Sequence, residues 1–344
     1  MSSIPIHISV IIPAYNRPGF LRRCIASLAS QAYPREQFEI IIVDDGSNTP
    51  VVTSLCDFNS DLHIVHIQQP HNGVAAARTT GIAHARGAIL AFLDHDCTVP
   101  PDYLAAIDRV FQKYPETQLV RANIENPEPD NVYGRLWKFT LEERLKVNLH
   151  PTQDKRFTNT MAGGMGTVAR REVFTVVAFD LTPRIREDTD LSYQLQAHGI
   201  PGFYEPEIRV FHHQRQTLRA SLAQAFGYGR GTFHLLRKWG AASTSAPHGI
   251  RPSWRAFRLF LKAEGFLMGL IIYSVFWLRG HANLWGLLFE GATWEFSGRP
   301  VLRWARFGWL LLAAYSYLLF RVITNQKSAG PASMHLMKFL NLKI

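Results

Sequence analysis

Asp94-His95-Asp96 sets two carboxylates one residue apart at the end of the apolar run 88–93. At the tip of a strand both groups face the same side of the chain end. That geometry suits a hard divalent cation, which takes oxygen ligands and bridges phosphates. An isolated Asp-x-Asp is usually a solvated turn, but two further acidic clusters accompany this one. Asp44-Asp45-Gly46-Ser47 follows the apolar run 40–43, and Arg186-Glu187-Asp188-Thr189-Asp190 opens a helical pattern. Carboxylates in a first helical turn also suit the helix dipole, the purely structural reading of that last cluster.

The elements that must position these groups follow from periodicity. Residues 8–12 form a short apolar run stopped by Pro13, the pattern of a buried parallel strand. Asn16-Arg17-Pro18 makes a turn. Phe20, Leu21, Cys24, Ile25 and Leu28 recur at helical spacing and predict an amphipathic helix over 18–31. Residues 40–43 and 63–67 read as further strands. Asn72 is the expected cap of a helix over 73–85, which Gly87 ends. The strand over 88–93 then delivers Asp94 and Asp96. Strands alternating with helices predict right-handed crossovers and a parallel sheet. Ligands of such sheets bind at the carboxyl ends of the strands, and Tyr15, Asp45 and Asp96 all fall just past those ends.

The second half is less regular. Residues 126–131 read as a loop, and Gly163-Gly164-Met165-Gly166 as a segment of close backbone approach. Leu191, Gln194 and Leu195 continue the helix opened by Glu187, closed by Gly199. Short strands are expected at 202–204 and 209–211, the second ending at His212-His213. The apolar stretches 265–278 and 307–320 fall short of the ~20 residues of a spanning helix. With their basic, Trp-rich flanks they fit interfacial or re-entrant helices on a membrane surface; a buried helical subdomain is the alternative. Lys and Arg number 37 against 27 Asp and Glu, a net charge of +10, which also suits an anionic membrane surface. Nucleic acid is not an expected partner, since no recognition motif is present. Cys24, Cys56 and Cys97 are odd in number and lack metal spacing, which argues for a reducing compartment. The N-terminal 4–12, with Pro5 and His7, reads as a strand and not as a signal peptide.

Five segments in order resemble glycosyltransferase family 2 over residues 6–240. They are Val10-Ile11-Ile12-Pro13-Ala14-Tyr15-Asn16-Arg17, Ile42-Val43-Asp44-Asp45-Gly46-Ser47, Asn72-Gly73 with Ala76-Ala77-Arg78, Phe92-Leu93-Asp94-His95-Asp96, and Glu187-Asp188-Thr189-Asp190-Leu191. The resemblance implies a GT-A type α/β fold: a mostly parallel sheet flanked by helices, here with a C-terminal helical, membrane-associated module. It places a catalytic domain at 1–240, with a nucleotide-binding half over about 1–125 and an acceptor half over about 126–240. A linker at 241–252 and a helical region at 253–344 would follow. It further implies an inverting reaction, a nucleotide-diphosphate sugar donor and a divalent cation, Mn²⁺ or Mg²⁺.

The same resemblance assigns roles. Pro13 and Tyr15 match the loop that contacts the nucleobase. Asp45 matches the carboxylate that accepts a hydrogen bond from the base ring, with Asp44 supporting or sharing that role. Arg78 would approach the base or the diphosphate, and Asp94 would touch the ribose or support the site. Asp96 would bind the metal, and His212 the metal or the diphosphate. Asp188 matches the general base, with Glu187 orienting it or contacting the acceptor. Gly163 and Gly164 match the loop where donor sugar and acceptor meet. The chemistry asks for these types: a cation neutralises the leaving diphosphate, and a carboxylate takes the proton of the weakly nucleophilic acceptor hydroxyl.

Two departures bear on function. Met165 stands where many relatives carry Asn. The Gln-x-x-Arg-Trp motif of processive synthases is missing, the nearest stretch being Leu235-Leu236-Arg237-Lys238-Trp239. Transfer of a single sugar is therefore expected, to a lipid-linked or cell-envelope glycan on the cytoplasmic face of the cell membrane. A silent nucleotide-sugar-binding or scaffold protein is the rival reading, which need not keep Glu187-Asp188. A dinucleotide-dependent oxidoreductase would want Gly-x-Gly-x-x-Gly after the first strand, where this chain has Pro13-Ala14-Tyr15-Asn16-Arg17-Pro18. A nucleotidyltransferase would want a Gly-rich basic loop in that place.

Overall fold

The computed structural model describes residues 6–49, 51, 58, 62–127, 132–136, 156–157, 164–181, 186–213, 217–239, 258 and 266–293. Gly163, most of the 126–131 loop, the 241–252 linker and the 307–320 stretch lie outside them. The chain divides into two compact units, Met1–Pro129 with Leu141–Gln214, and Asp130–Thr140 with Arg215–Ile344.

The first unit is built on one sheet of nine strands. They are β1 (Ile8–Ala14), β2 (Phe38–Asp44), β3 (Ile64–Gln68), β4 (Ile89–Phe92), β5 (Cys97–Thr98), β6 (Leu119–Glu125), β7 (Arg156–Phe157), β8 (Thr167–Arg170) and β9 (Gly202–His212). The spatial order is β3-β2-β1-β4-β8-β6-β9-β5, with β7 beside β9. The first four strands of that order run parallel, as the alternating pattern predicts. The remainder is mixed: β8 is antiparallel to both β4 and β6, β6 and β9 are parallel, and β5 and β7 are antiparallel to β9.

Every residue of β1 and β2 is buried, which explains the apolar runs 10–14 and 40–43 within them. The twofold alternation of a strand separates their side chains onto two faces. Ile8, Val10, Ile12, Ile40 and Ile42 pack with Leu21, Ile25 and Leu28 of α1 (Pro18–Ala29) and Leu104, Ile107 and Val110 of α3 (Tyr103–Lys113). Ile11, Ile41 and Val43 pack on the other face with Ala75 and Ala77 of α2 (Val74–His84) and Leu191 and Leu195 of α4 (Glu187–Ala197). Helix α2 presents small residues to the sheet and lies close to it. A Cβ at Gly81 would stand 2.4 Å from Cγ2 of Ile11.

At the amino ends of these strands Glu39 is fully buried. Ser9 Oγ and the Arg86 amide donate to its Oε1 at 2.6 and 2.7 Å, and Arg86 Nε donates to Oε2 at 2.8 Å. Burial would raise the carboxyl's pKa, but these donors outweigh it and hold it below the usual value.

Several elements depart from the periodicity reading. Helix α3, the helix Leu218–Trp239 and strands β5, β6, β7 and β8 are absent from it, and the two short strands expected at 202–204 and 209–211 are one strand. Strand β9 runs through both, with a register shift opposite Ala122 and Asn123. Asn72 does not cap α2: the capping position is Gly73 at φ 93°, and no side chain caps it.

In the second unit α5 (Leu218–Trp239) packs on α6 (Phe266–Thr293). Their backbones touch: a Cβ at Gly229 would fall 1.8 Å from the Asn283 carbonyl oxygen, and one at Gly286 would fall 1.9 Å from that of Phe226. Buried Glu290 of α6 accepts from Arg230 at 2.6 Å and pairs with His234 at 3.0 Å, both on α5. Among the described residues no helix is long and apolar enough to cross a membrane.

Candidate active site

The carboxyl ends of β1, β2 and β4, parallel neighbours in the sheet, carry Tyr15, Asp44-Asp45 and Asp94-His95-Asp96 along one edge. Asp44 ends β2 fully buried, its oxygens accepting the amides of Ser47 at 3.0 Å and Val51 at 3.4 Å. It fixes the loop after β2 and is not placed to share a nucleotide contact. Asp45 comes next and is 3 % exposed. Oδ1 accepts from Gln69 Nε2 at 2.7 Å and the Asn72 amide at 3.0 Å, and Oδ2 from the Gly73 amide at 2.8 Å. His71 Nδ1 lies 2.8 Å from the same Oδ2. Asn72-Gly73 thus serves through its backbone amides.

Pro13 sits inside β1 and is buried, so of the expected base-contacting pair only Tyr15, 40 % exposed, offers a free ring. Its ring stacks on His71, centroids 4.3 Å apart and planes 22° apart. The next two residues have left-handed backbones, Asn16 at φ 45° and Arg17 at φ 148°, conformations that non-glycine residues hold only when their surroundings impose them. Here the Asn16 amide donates to Ser47 Oγ at 2.9 Å, and Asn16 Oδ1 accepts the Asn48 amide at 2.8 Å. The β1 and β2 loops therefore lock each other.

Arg78 is the largest correction. From α2 its side chain does not reach out toward a donor; it is 2 % exposed. One guanidinium nitrogen donates to Asp94 Oδ1 at 2.7 Å and another to Glu187 Oε1 at 2.6 Å. Burial works against the guanidinium's charge, but the two carboxylates outweigh it and hold the pKa above the ordinary arginine value. The group also lies against backbone: a Cβ at Gly164 would fall 2.0–2.2 Å from guanidinium atoms. Gly164 is thus a glycine because Arg78 occupies the place of a side chain. Three of the five sequence motifs and the glycine segment meet at this one cation. Glu187, drawn into this interior, is pushed up to about 7 by burial, which together with the Asp188 charge exceeds the opposing pull of Arg78.

Asp96 and His212, both expected near the cation, lie side by side. Cys97 of β5 pairs with His212 of β9, and the His213 amide donates to the Asp96 carbonyl at 3.0 Å. This register puts His212 Nε2 3.5 Å from Asp96 Oδ1, while Arg17 lies 3.6 Å from Oδ2. Burial would raise the Asp96 pKa, but His212, then His95 and Arg17, hold it well below the usual carboxylate range. Among the described residues no group of three or more His, Cys, Asp or Glu side chains could hold a metal. A charged carboxylate with an imidazole beside it still fits a cation that takes its remaining ligands from phosphates and water.

Asp188, in the first turn of α4 beside Glu187, is half-buried. Its Oδ1 accepts from the Thr189 amide at 2.7 Å and Thr189 Oγ1 at 3.2 Å. Among the described residues no donor reaches Oδ2. Arg186, at φ 74°, turns the chain into this helix.

A parallel nucleotide-type sheet joined to a mixed half, with acidic side chains gathered at the strand ends, is the architecture of the GT-A class. Residues 9–177 match the model described as Glycosyl transferase family 2, and this chain belongs to glycosyltransferase family 2. It is 39 % identical over 106 residues to the glycosyltransferase AglE of Haloferax volcanii, covering 30 % of this chain and 34 % of that protein. It is 31 % identical over 230 residues to the pre-mycofactocin glycosyltransferase of Mycobacterium tuberculosis, covering 64 % and 46 %. It is 29 % identical over 227 residues to the validoxylamine A glucosyltransferase of Streptomyces hygroscopicus subsp. jinggangensis, covering 58 % and 53 %. The chain thus spans about half or less of these relatives' lengths. Two solved structures share the fold. TarS 1-349 of S. aureus has a TM-score of 0.51 at 13 % identity, over 85 % of this chain and 93 % of that one. The mannosyltransferase PcManGT of Pyrobaculum calidifontis, solved with GDP-Man and Mn2+, has 0.50 at 17 %, over 99 % and 83 %.

Proposed function

We propose that this chain is an inverting, metal-dependent glycosyltransferase that moves one sugar from a nucleoside-diphosphate donor to an acceptor hydroxyl. The observation that carries the reading is the Glu187–Arg78–Asp94 bridge. It ties the first turn of α4, where Asp188 sits, to the end of β4, where Asp96 sits. In this reading the bridge keeps the proposed base near the proposed phosphate-binding group, which a merely nucleotide-binding scaffold would not require.

In this reading Tyr15 and Asp45 seat the base, and Asp96 with His212 holds the cation that neutralises the leaving diphosphate. Asp188 Oδ2 takes the acceptor's proton as its oxygen attacks the anomeric carbon. Base and leaving group on opposite sides of that carbon give a single displacement and inversion. Arg78 does not touch substrate; it keeps Asp94 and Glu187 in register. The neighbour solved with Mn2+ and others solved with UDP or UDP-GlcNAc support the donor class. A lipid-linked or cell-envelope glycan acceptor at the cytoplasmic membrane face is proposed from the basic, Trp-rich C-terminal region. The test is nucleotide release from a panel of nucleotide sugars, with and without detergent-solubilised lipid acceptors. Donor- and acceptor-dependent release is expected; nucleotide binding without any turnover would favour the scaffold reading.

A further inference from the structure

Asp45 has four donors around its two oxygens, and they are not equally fixed. The Asn72 and Gly73 amides are backbone at the entry to α2. Gln69 is held at its other end, where its Oε1 accepts from Thr80 Oγ1 at 2.7 Å. The fourth donor, His71, has a side chain 44 % exposed, and among the described residues its ring reaches only Asp45 and Tyr15. Its backbone is pinned. Gly46, at φ +76°, lies so close that a Cβ there would stand 2.7 Å from the His71 amide nitrogen. The imidazole can therefore leave by rotating about its own side-chain bonds while the loop stays in place.

What it would leave behind is specific. A flat nitrogen heterocycle lies parallel to the exposed Tyr15 ring, with a ring N–H aimed at the buried Asp45 carboxylate. Uracil and guanine present the same two features, a π-face and a ring N–H beside carbonyl groups. Cytosine and adenine present an unprotonated ring nitrogen there, which a carboxylate repels. We infer that the His71 imidazole and the donor's base take the same seat on Tyr15 and Asp45 and compete for it. This rests on the reading of Tyr15 and Asp45 as the nucleobase seat. His71 then weakens nucleotide binding by the fraction of molecules in which its ring is seated, and it fills Asp45's open valence with a group that is readily displaced.

Calorimetric titration of the full chain with UDP, GDP, CDP and ADP in the presence of Mn²⁺ tests this. Wild type should bind UDP or GDP in preference to CDP and ADP, and His71→Ala should bind the preferred nucleotide about tenfold tighter, the seated fraction having been removed. Equal or weaker binding by the variant would overturn the competition. A second measurement needs no variant: the His71 ring proton resonances of wild type, shifted by the Tyr15 ring, should move to solvent-like positions on adding that nucleotide. Unmoved resonances with nucleotide bound would overturn the inference while leaving the donor class intact. Failure of wild type to bind any of the four would overturn the nucleobase seat as well.

Discussion

At the residue scale the proposed function separates groups that would touch substrate from groups that hold them. Asp188 has one oxygen occupied by Thr189, and its second oxygen is the one proposed to act as the base. Asp188→Asn should lower kcat by about 10²–10⁴-fold, the usual contribution of a positioned base, while the nucleotide Kd stays within a few-fold of wild type. Turnover near the wild-type rate would remove Asp188 as the base. Glu187 makes a different prediction, because it is pushed up to about 7 in the folded protein from an ordinary value of 4.5. The folded state then keeps a proton that the unfolded chain releases between these values. Its contribution to stability is present in full below about 4.5 and is lost as pH rises through 7. Thermal unfolding of Glu187→Gln should therefore gain on wild type as pH rises from 5 to about 8. A difference independent of pH would show that Glu187 is ionised throughout.

At the element scale two helices set the site, and both depend on glycines. Gly81 lets α2 lie on β1, and Gly81→Ala should cost about 1–3 kcal/mol in urea unfolding, the usual range for overpacking, since its Cβ would meet Ile11 at 2.4 Å. Gly164→Ala would instead push against the Arg78 guanidinium, so its larger effect should be on kcat. The strands and helices of the first 93 residues were legible because apolar runs there are punctuated by Pro13, Gly46 and Gly87, and because fully buried strands need no polar alternation. Asp96 and His212 were each named from the family resemblance, but their side-by-side placement depends on the pairing of β5 with β9. The place of Arg78 was not legible. On α2 it stands among alanines and matches an arginine that would approach the base or the diphosphate; its burial is set by Glu187, 109 residues later, and by a glycine between them. Asn72 and Pro13 were misplaced for a similar reason. Sequence gives residue type, while the direction of an amide or a ring depends on Asp45 and on the β1–β2 register.

At the scale of the whole molecule, the net charge of +10 and the outer surface of α6 bear on where the enzyme works. Ile271, Trp277 and Leu284 are exposed there at 40 %, 46 % and 46 %. Together with the net charge, these exposed apolar side chains support association with an anionic membrane surface as the form proposed. The full chain should float with vesicles containing anionic lipid, and the floated fraction should fall as salt screens the attraction. Equal flotation with purely zwitterionic vesicles at all salt concentrations would contradict the electrostatic part.

The most direct measurement is Mn²⁺-dependent release of nucleotide from a panel of nucleotide sugars by wild type, Asp96→Asn and Asp188→Asn side by side. Wild type should turn over a donor carrying uracil or guanine. Asp96→Asn should need markedly more Mn²⁺, and Asp188→Asn should bind the donor without transferring it. A wild type that binds but never turns over, or an Asp96 variant with an unchanged Mn²⁺ titration, would contradict the assignment of these carboxylates to one catalytic site.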